Sequence, residues 1–425
     1  MPKIKDIKAR QIIDSRGNPT VECDITLDNQ FFGRASAPSG ASTGVHEAVE
    51  LRDNNAQIYN GKSVNKAVNN ILEFIKPRIL NKEYVNFKEF DKEIINIDGT
   101  SNKSKMGANA ILALSLAFVK ALSSMKNCTM YQLLSDDNHY TLPVPMMNII
   151  NGGMHADNNL DIQEFMITPI GASNFSDAVR YGSEIFHSLK SKLKSKGLNT
   201  NVGDEGGFAP NLKSTKQALD YILESIDSVG LKIKKDILLS LDVASSEFYS
   251  NNQYNLKGEK KIFTSDQMIK YLKDLVAIYP IYSIEDGLSE DDWDGWKNLT
   301  KELGRTVQLV GDDLFVTNFE RLQKGINNGI ANSILIKLNQ IGSVSETISV
   351  MKLAKQHNYT CIVSHRSGET EDTSIADLSV GMSSGQIKTG SITRTDRTSK
   401  YNQLLRIEEE LGNKSVYAGK SILRY

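Results

Sequence analysis

Ser333-Ile334-Leu335-Ile336-Lys337-Leu338-Asn339-Gln340-Ile341-Gly342 is an aliphatic run with a lysine inside it. Bounded by Asn332 and Gly342, it predicts a strand over 333–341 buried on both faces, as in a parallel sheet or barrel. An ammonium buried there is costly unless carboxylates or an anionic ligand surround it. At a sheet edge the same lysine would keep its amine in water. The rest of the chain favours burial: Asp242, Glu285 and Asp312 each follow a similar apolar run, so several strands end in charge on one side of one sheet.

With 425 residues, 40% of them hydrophobic, the chain is long enough for two domains and a substantial core. Fifty basic residues against 51 acidic ones leave a formal charge of -1, which gives no reason to expect binding to nucleic acid or to a membrane surface. Cys23, Cys128 and Cys361 are far apart, odd in number and outside any CxxC spacing, so neither a disulfide framework nor a thiolate zinc site is suggested, and a reducing cytoplasm fits best. The N-terminus lacks the apolar core of a secretory signal. The run from Met106 to Val119 is too short to span a bilayer and predicts a buried helix.

Strands over Ile4 to Ile13 and Val21 to Leu27 flank the turn formers of Asp14-Ser15-Arg16-Gly17-Asn18-Pro19, predicting an opening β-meander. Ser39-Gly40-Ala41-Ser42-Thr43-Gly44 is small, polar and expected to be mobile. Val64, Ala67, Val68, Ile71, Leu72 and Ile75 recur at helical spacing, and Met106 to Met125 forms a second helix. These elements predict an α+β domain over 1–135. The prolines of Thr141-Leu142-Pro143-Val144-Pro145 mark a boundary, with a second domain over 140–425. There, strand-like runs at 161–170, 237–244, 281–288, 307–315, 333–341, 360–364 and 386–392 alternate with amphipathic helices. The pattern predicts an α/β fold, a (β/α)8 barrel or else a doubly wound sheet. Charge at nearly every strand end suits a closed ring better than one switch-point crevice.

Three convergent carboxylates, Asp242, Glu285 and Asp312, would repel one another, and a divalent cation resolves the conflict; all-oxygen ligation favours magnesium. Each taken singly could be a helix cap or a surface acid. Lys337 and Lys388 would face the same metal, whose charge would disfavour the ammonium and let a lysine act as a general base. Lys388, flanked by Thr389 and Gly390, could equally be a loop lysine. Glu205, among the glycines of Gly203-Asp204-Glu205-Gly206-Gly207, is a candidate acid or an acidic turn. His155, Gln163 and Glu164 add polar groups early in the barrel. His365, Arg366 and Ser367 together suit an anion clamp. No GxxxxGK[ST] supports a nucleotide loop.

Ser39-Gly40-Ala41-Ser42-Thr43-Gly44, Gly203-Asp204-Glu205-Gly206-Gly207-Phe208-Ala209-Pro210, Ser283-Ile284-Glu285-Asp286, Gly311-Asp312-Asp313-Leu314, Leu335-Ile336-Lys337-Leu338-Asn339-Gln340-Ile341-Gly342, Ser364-His365-Arg366-Ser367-Gly368-Glu369-Thr370 and Gln386-Ile387-Lys388-Thr389-Gly390 resemble the enolase family in order and along the whole chain. The resemblance implies a modified (β/α)8 barrel of enolase type, opening ββαα, behind an N-terminal α+β domain. It implies a hydro-lyase that reversibly dehydrates 2-phosphoglycerate to phosphoenolpyruvate in glycolysis and gluconeogenesis. By the same likeness Lys337 is the base that removes the C2 proton, and Glu205, with Glu164 beside it, is the acid that assists loss of the C3 hydroxyl. Lys388 and two magnesium ions stabilise the charge formed between those steps. Asp242, Glu285 and Asp312 match ligands of the first ion. Ser42 matches a ligand of the second, which arrives with the substrate phosphate. His155, Gln163, His365, Arg366 and Ser367 match substrate contacts, with Arg366 and Ser367 on the phosphate. Departures are small: Met154 precedes His155, and Thr393 and Thr395 stand where serines are expected.

The likeness also implies a cytoplasmic homo-oligomer, a dimer or an octamer. Family members serve as surface adhesion partners as well, so RNA-degradation or plasminogen partners and a surface or secreted pool stay open. The chain does not end in lysine, so binding through a terminal lysine is not supported. A different superfamily lyase, acting on acid sugars, would share the base and metal but not the phosphate-facing Arg366 and Ser367.

Overall fold

The computed structural model describes residues 2–41, 44–137 and 139–423. β1 (Ile4–Ile13), β2 (Pro19–Leu27) and β3 (Phe31–Ser36) form an antiparallel meander. Its first turn is tied by Asp14, whose Oδ1 accepts from the backbone N–H groups of Arg16 (2.9 Å) and Asn18 (2.8 Å). After a helical run over 65–79, α1 (Phe87–Asp98) starts at Asn86, whose side chain accepts from Lys88 and Glu89 N–H, and stops at Gly99 with φ 71°. α2 (Ala108–Met125) is buried over most of its length. It lies so close on the meander that a Cβ on Gly33 would sit 2.1 Å from the carbonyl oxygen of Ala117. Among the described residues α2 is the one helix long and apolar enough to cross a membrane, and it is 83% buried inside this fold.

The barrel opens with β4 (Val144–Asn151), β5 (Glu164–Thr168), α3 (Phe175–Ser195), α4 (Thr215–Ser228) and β6 (Leu238–Asp242). Regular units follow: α5 (Ser265–Ile278) and β7 (Ile281–Glu285), then α6 (Trp293–Leu303) and β8 (Gln308–Gly311). Next come α7 (Phe319–Asn328), β9 (Ser333–Ile336), α8 (Val344–Gln356) and β10 (Thr360–Ser364). α9 (Ser374–Gly381), β11 (Gly385–Lys388) and α10 (Thr395–Leu411) complete the domain. The eight strands close in the order β7-β8-β9-β10-β11-β4-β5-β6. β5 is antiparallel to β4 and β6, and the other neighbours are parallel. The doubly wound alternative is thereby excluded.

Two features differ from the expected strand runs. β4, the first strand of the barrel, is not among them; its Pro145 sits within the strand, opposite Ile387. The expected strand over 333–341 ends at Ile336, and Leu338–Ile341 is a helical turn closed by Gly342 at φ 93°. The turn redirects two side chains: Asn339 accepts from Arg366, and Gln340 donates to Asp312 and accepts from Thr317. A continued strand would have placed these two side chains on opposite faces of the sheet.

Alternation along each strand sorts the rest. Ile334 and Ile336 belong to the main core shared with the helices, whereas Leu335 packs with Met146, Met166, Val310 and Ile362 in a separate cluster inside the ring. The side chain two residues beyond an inward one is also inward. Lys337 follows Leu335, Asp312 follows Val310, and Ser364 follows Ile362, all at the C-terminal ends where barrel ligands bind. Below lies a polar layer in which Gln308 Nε2 donates to Ser283 Oγ (3.1 Å) and to Gln386 Oε1 (3.0 Å). Ser283 and Gln386 in turn precede Glu285 and Lys388 by two residues.

The N-terminal domain is tied to this C-terminal face. Gly368 and Ser39 exchange backbone hydrogen bonds of 2.8 and 2.9 Å. Lys120 pairs with Asp372 at 2.7 Å, and the fully buried Asp91 accepts from the backbone N–H of Ser345 (2.8 Å) in the first turn of α8.

Candidate active site

Strand register places three acids side by side: Glu164 of β5 is opposite Asp242 of β6, and Asp242 is opposite Glu285 of β7. Lys388, at the end of β11, reaches across the ring to all three. Its Nζ lies 2.8 Å from Glu285, 3.0 Å from Asp242 and 3.2 Å from Glu164. Lys337 donates to Asp312 Oδ2, whose other oxygen accepts from Gln340 Nε2 at 2.9 Å. Gln163 Nε2 donates to Asp242 at 3.2 Å. All of these groups are buried or nearly so.

A second group lies beside the first. His155 Nδ1 is 3.5 Å from Glu164 and 3.6 Å from Glu205. Asn148 donates to Glu205 Oε2 at 3.2 Å, and His365 Nε2 lies 3.2 Å from Glu205 Oε1. Arg397 donates to His365 Nδ1, so the imidazole's own proton is on Nε2, facing Glu205. Arg397 also donates to the carbonyls of Arg366 and Ser367, fixing the loop after β10. Arg366 is gripped by Glu47 (3.0 Å) and Asn339 (2.9 Å), and Arg16 donates to Ser367 Oγ at 3.3 Å.

The pKa directions follow from burial. Desolvation pushes Glu164 and Glu285 well above the usual carboxylate range, with Glu205 adding to the first and Asp242 to the second. Desolvation pushes His365 down to about 3 and also lowers His155, while the Glu205 carboxylate pulls both the other way. Burial would raise Glu205, but His155, His365 and the Arg397 cation hold it well below ordinary values. Between the two neighbouring carboxyls, Glu164 therefore carries the proton and Glu205 is ionised. Burial opposes the charged form of Lys337, but Asp312 outweighs it and raises the lysine; Asp242 and Glu164 do the same for Lys388, far more strongly. With only protein groups around them, both amines are thus held as ammonium; the depressed lysine is the expectation for a site that also holds a divalent cation.

The cavity wall carries Glu164, Glu205, Asp242, Asp286, Asp312 and Asp313 against the cations Lys337, Arg366 and Lys388. Buried oxygens of Glu164 (Oε2) and Gln163 (Oε1) have no hydrogen-bond partner. An oxygen-rich, electron-rich pocket of this kind fits a hard divalent cation. Asp242 and Glu285 lie around Lys388, and Asp312 on Lys337. Among the described residues the closed ligand sets, with atoms within 4.8 Å of one another, are His155, Glu164 and Glu205, and Asp286, Asp312 and Asp313. Asp286 is a scaffold as well as a candidate: it accepts from the N–H groups of Asp312 (2.9 Å) and Asp313 (2.8 Å).

Every candidate from the sequence except one thus borders this cavity or a direct neighbour of it; Ser42 lies outside the described residues. Sequence reading passed over Arg397, Glu47, Arg16, Asn148, Asn339 and Asp286. Asp286 directly follows Glu285 and Asn339 lies two past Lys337, so proximity to a strand end could have flagged both. Arg397 and Glu47 lie in helix and loop sequence with no such cue.

Fold and site define a barrel enzyme whose working groups are carboxylates and lysines at the strand C-termini. Residues 139–425 match the family profile described as enolase, C-terminal TIM barrel domain, and residues 4–134 match that described as enolase, N-terminal domain. The chain belongs to the enolase family. Membership makes it a lyase of that superfamily supporting an enolase-type dehydration of a small molecule, with magnesium as the family's metal.

Proposed function

We propose that this protein reversibly dehydrates 2-phosphoglycerate to phosphoenolpyruvate in glycolysis and gluconeogenesis. One observation carries the reading: Lys337, Glu205 and Glu164 line a single buried cavity with Arg366 and an excess of carboxylates. The substrate has a proton to lose at C2, a hydroxyl to lose at C3, a carboxylate and a phosphate. Lys337 is the base at C2. Glu164 and Glu205, one protonated and one ionised, share the proton that goes to the departing C3 hydroxyl. Arg366 and Ser367 hold the phosphate, with Arg397 fixing their backbone. His155, Gln163 and His365 orient the substrate, and Lys388 balances negative charge at the carboxylate end.

Asp242, Glu285 and Asp312 would hold one magnesium ion, and Ser42 would contribute to a second that comes with substrate. Bound there, magnesium supplies Lewis-acid stabilisation of charge on the substrate carboxylate. Positive charge on Asp312 would also relieve the attraction that keeps Lys337 protonated, which a base requires. The reading extends to a cytoplasmic homo-oligomer, dimer or octamer, with no nucleic-acid partner; the three cysteines are free, in keeping with a reducing compartment.

The test is the rise in ultraviolet absorbance when purified protein meets 2-phosphoglycerate with Mg²⁺ and then with EDTA. Wild type should show a magnesium-dependent rise that Lys337→Ala abolishes. No rise in wild type under either condition would reject the assigned reaction and leave a binding or scaffold role to pursue.

A further inference from the structure

Glu47 belongs to the N-terminal domain, yet its carboxylate is inside the site. Its side chain is 7% exposed and that of Arg366 is 3% exposed. The pair is a fork: Arg366 Nη1 donates to Glu47 Oε2 at 3.0 Å and Nη2 to Oε1 at 3.1 Å. The carboxylate is itself fixed, because Gly44 N–H donates to Oε1 at 3.0 Å. Gln340 Nε2 lies 3.4 Å from the same oxygen while donating to Asp312 at 2.9 Å.

A bidentate carboxylate on Nη1 and Nη2 occupies an edge of the guanidinium that suits a phosphate equally well. Two anions cannot both hold those two N–H groups. A guanidinium this buried is also costly without a counter-charge. An internal carboxylate meets that need and makes phosphate entry an exchange of one anion for another.

We propose that Glu47 is the internal counter-ion of Arg366, occupying the phosphate subsite until a phosphate oxygen displaces it. Glu47 is a positioning residue that sets phosphate affinity, not a group that touches the reacting carbons. The proposal rests on the reading of Arg366 as the phosphate contact.

The experiment titrates inorganic phosphate into the full chain by calorimetry, without substrate, for wild type, Glu47→Gln, Glu47→Asp and Arg366→Gln. Turnover of 2-phosphoglycerate is followed in parallel. Removing the competing charge should tighten phosphate binding about tenfold in Glu47→Gln, lower KM by a similar factor and leave kcat no higher than in wild type. Phosphate should also raise the melting temperature of Glu47→Gln by more than that of wild type, because there it restores the counter-charge that Glu47 supplied. Phosphate binding that is unchanged or weaker in Glu47→Gln would overturn the proposal. If that variant does not fold, Glu47→Asp, with its carboxylate drawn back by one methylene, should bind phosphate about threefold tighter, and equal or weaker binding again overturns it. Equal phosphate binding by wild type and Arg366→Gln would reject both the subsite and the role of Glu47. Phosphate binding that depends on Arg366 in a wild type without turnover would reject the dehydration alone.

Discussion

Lys388→Met keeps most of the side-chain volume and removes one buried positive charge from among three acids, of which Glu164 already carries a proton. Lys388 Nζ is within 3.2 Å of Glu164, Asp242 and Glu285, and the lysine is 2% exposed. The gross attraction lost is large, but the cluster has a cheaper remedy, which is to bind one proton in place of the ammonium. Protonating a carboxyl of ordinary pKa near 4.3 at pH 7 costs about 1.36 kcal/mol for each of about 2.7 pH units, or about 4 kcal/mol. That agrees with the ~3–5 kcal/mol typical of breaking a buried ion pair. At pH 5.5 the same step costs about 1.6 kcal/mol.

The sign follows from the proton count. The folded variant holds one proton more than the folded wild type, while the two unfolded chains hold the same carboxyl protons, so its stability relative to wild type should improve by about 1.4 kcal/mol for each unit that pH falls between 7 and 5.5. Urea denaturation of both proteins at several pH values measures this difference, and saturating Mg²⁺ should return part of it by supplying positive charge. A loss that does not change with pH, or one below about 1 kcal/mol at pH 7, would refute the picture of Lys388 as the charge balancing these acids.

Burial raises Asp91 from 3.8 to about 6, with Ser115 and Ser345 bonded to it and Glu346 nearby. The stability it contributes is present below pH 3.8 and lost as pH rises through 6. Asp91→Asn should therefore be more stable than wild type at pH 7, by up to about 3 kcal/mol, and gain nothing near pH 4 in thermal or urea melts. Glu164→Gln mimics the protonated carboxyl, so urea stability at pH 7 should change by less than about 1 kcal/mol while turnover falls by about 10²–10⁴; retained turnover would remove Glu164 from the proton path. Arg397→Met removes the donor shared by His365, Arg366 and Ser367. It should raise KM for the phosphorylated substrate and destabilise by about 3 kcal/mol; an unchanged KM with lowered stability would make the residue purely structural.

The sequence alone determined which side chains share a face. Period-two alternation through Leu335-Ile336-Lys337, Ser240-Leu241-Asp242, Ser283-Ile284-Glu285 and Gln386-Ile387-Lys388 puts each charged residue on the face opposite its aliphatic neighbour, because strand side chains alternate whatever they pack against. Grouping those charges at strand ends made a barrel with a cationic and acidic rim the consistent reading. Residue types, though, do not specify partners far away in the chain. Only the closure of the ring brings Lys388 to Glu164, Asp242 and Glu285, since that pairing depends on register between strands more than 100 residues apart. Only domain docking brings Glu47 to Arg366, 319 positions away. The ionisation states, a protonated Glu164 beside an ionised Glu205 and two raised lysines, were decided last, because they depend on how completely the packed protein removes water from these groups and which charges it leaves facing one another.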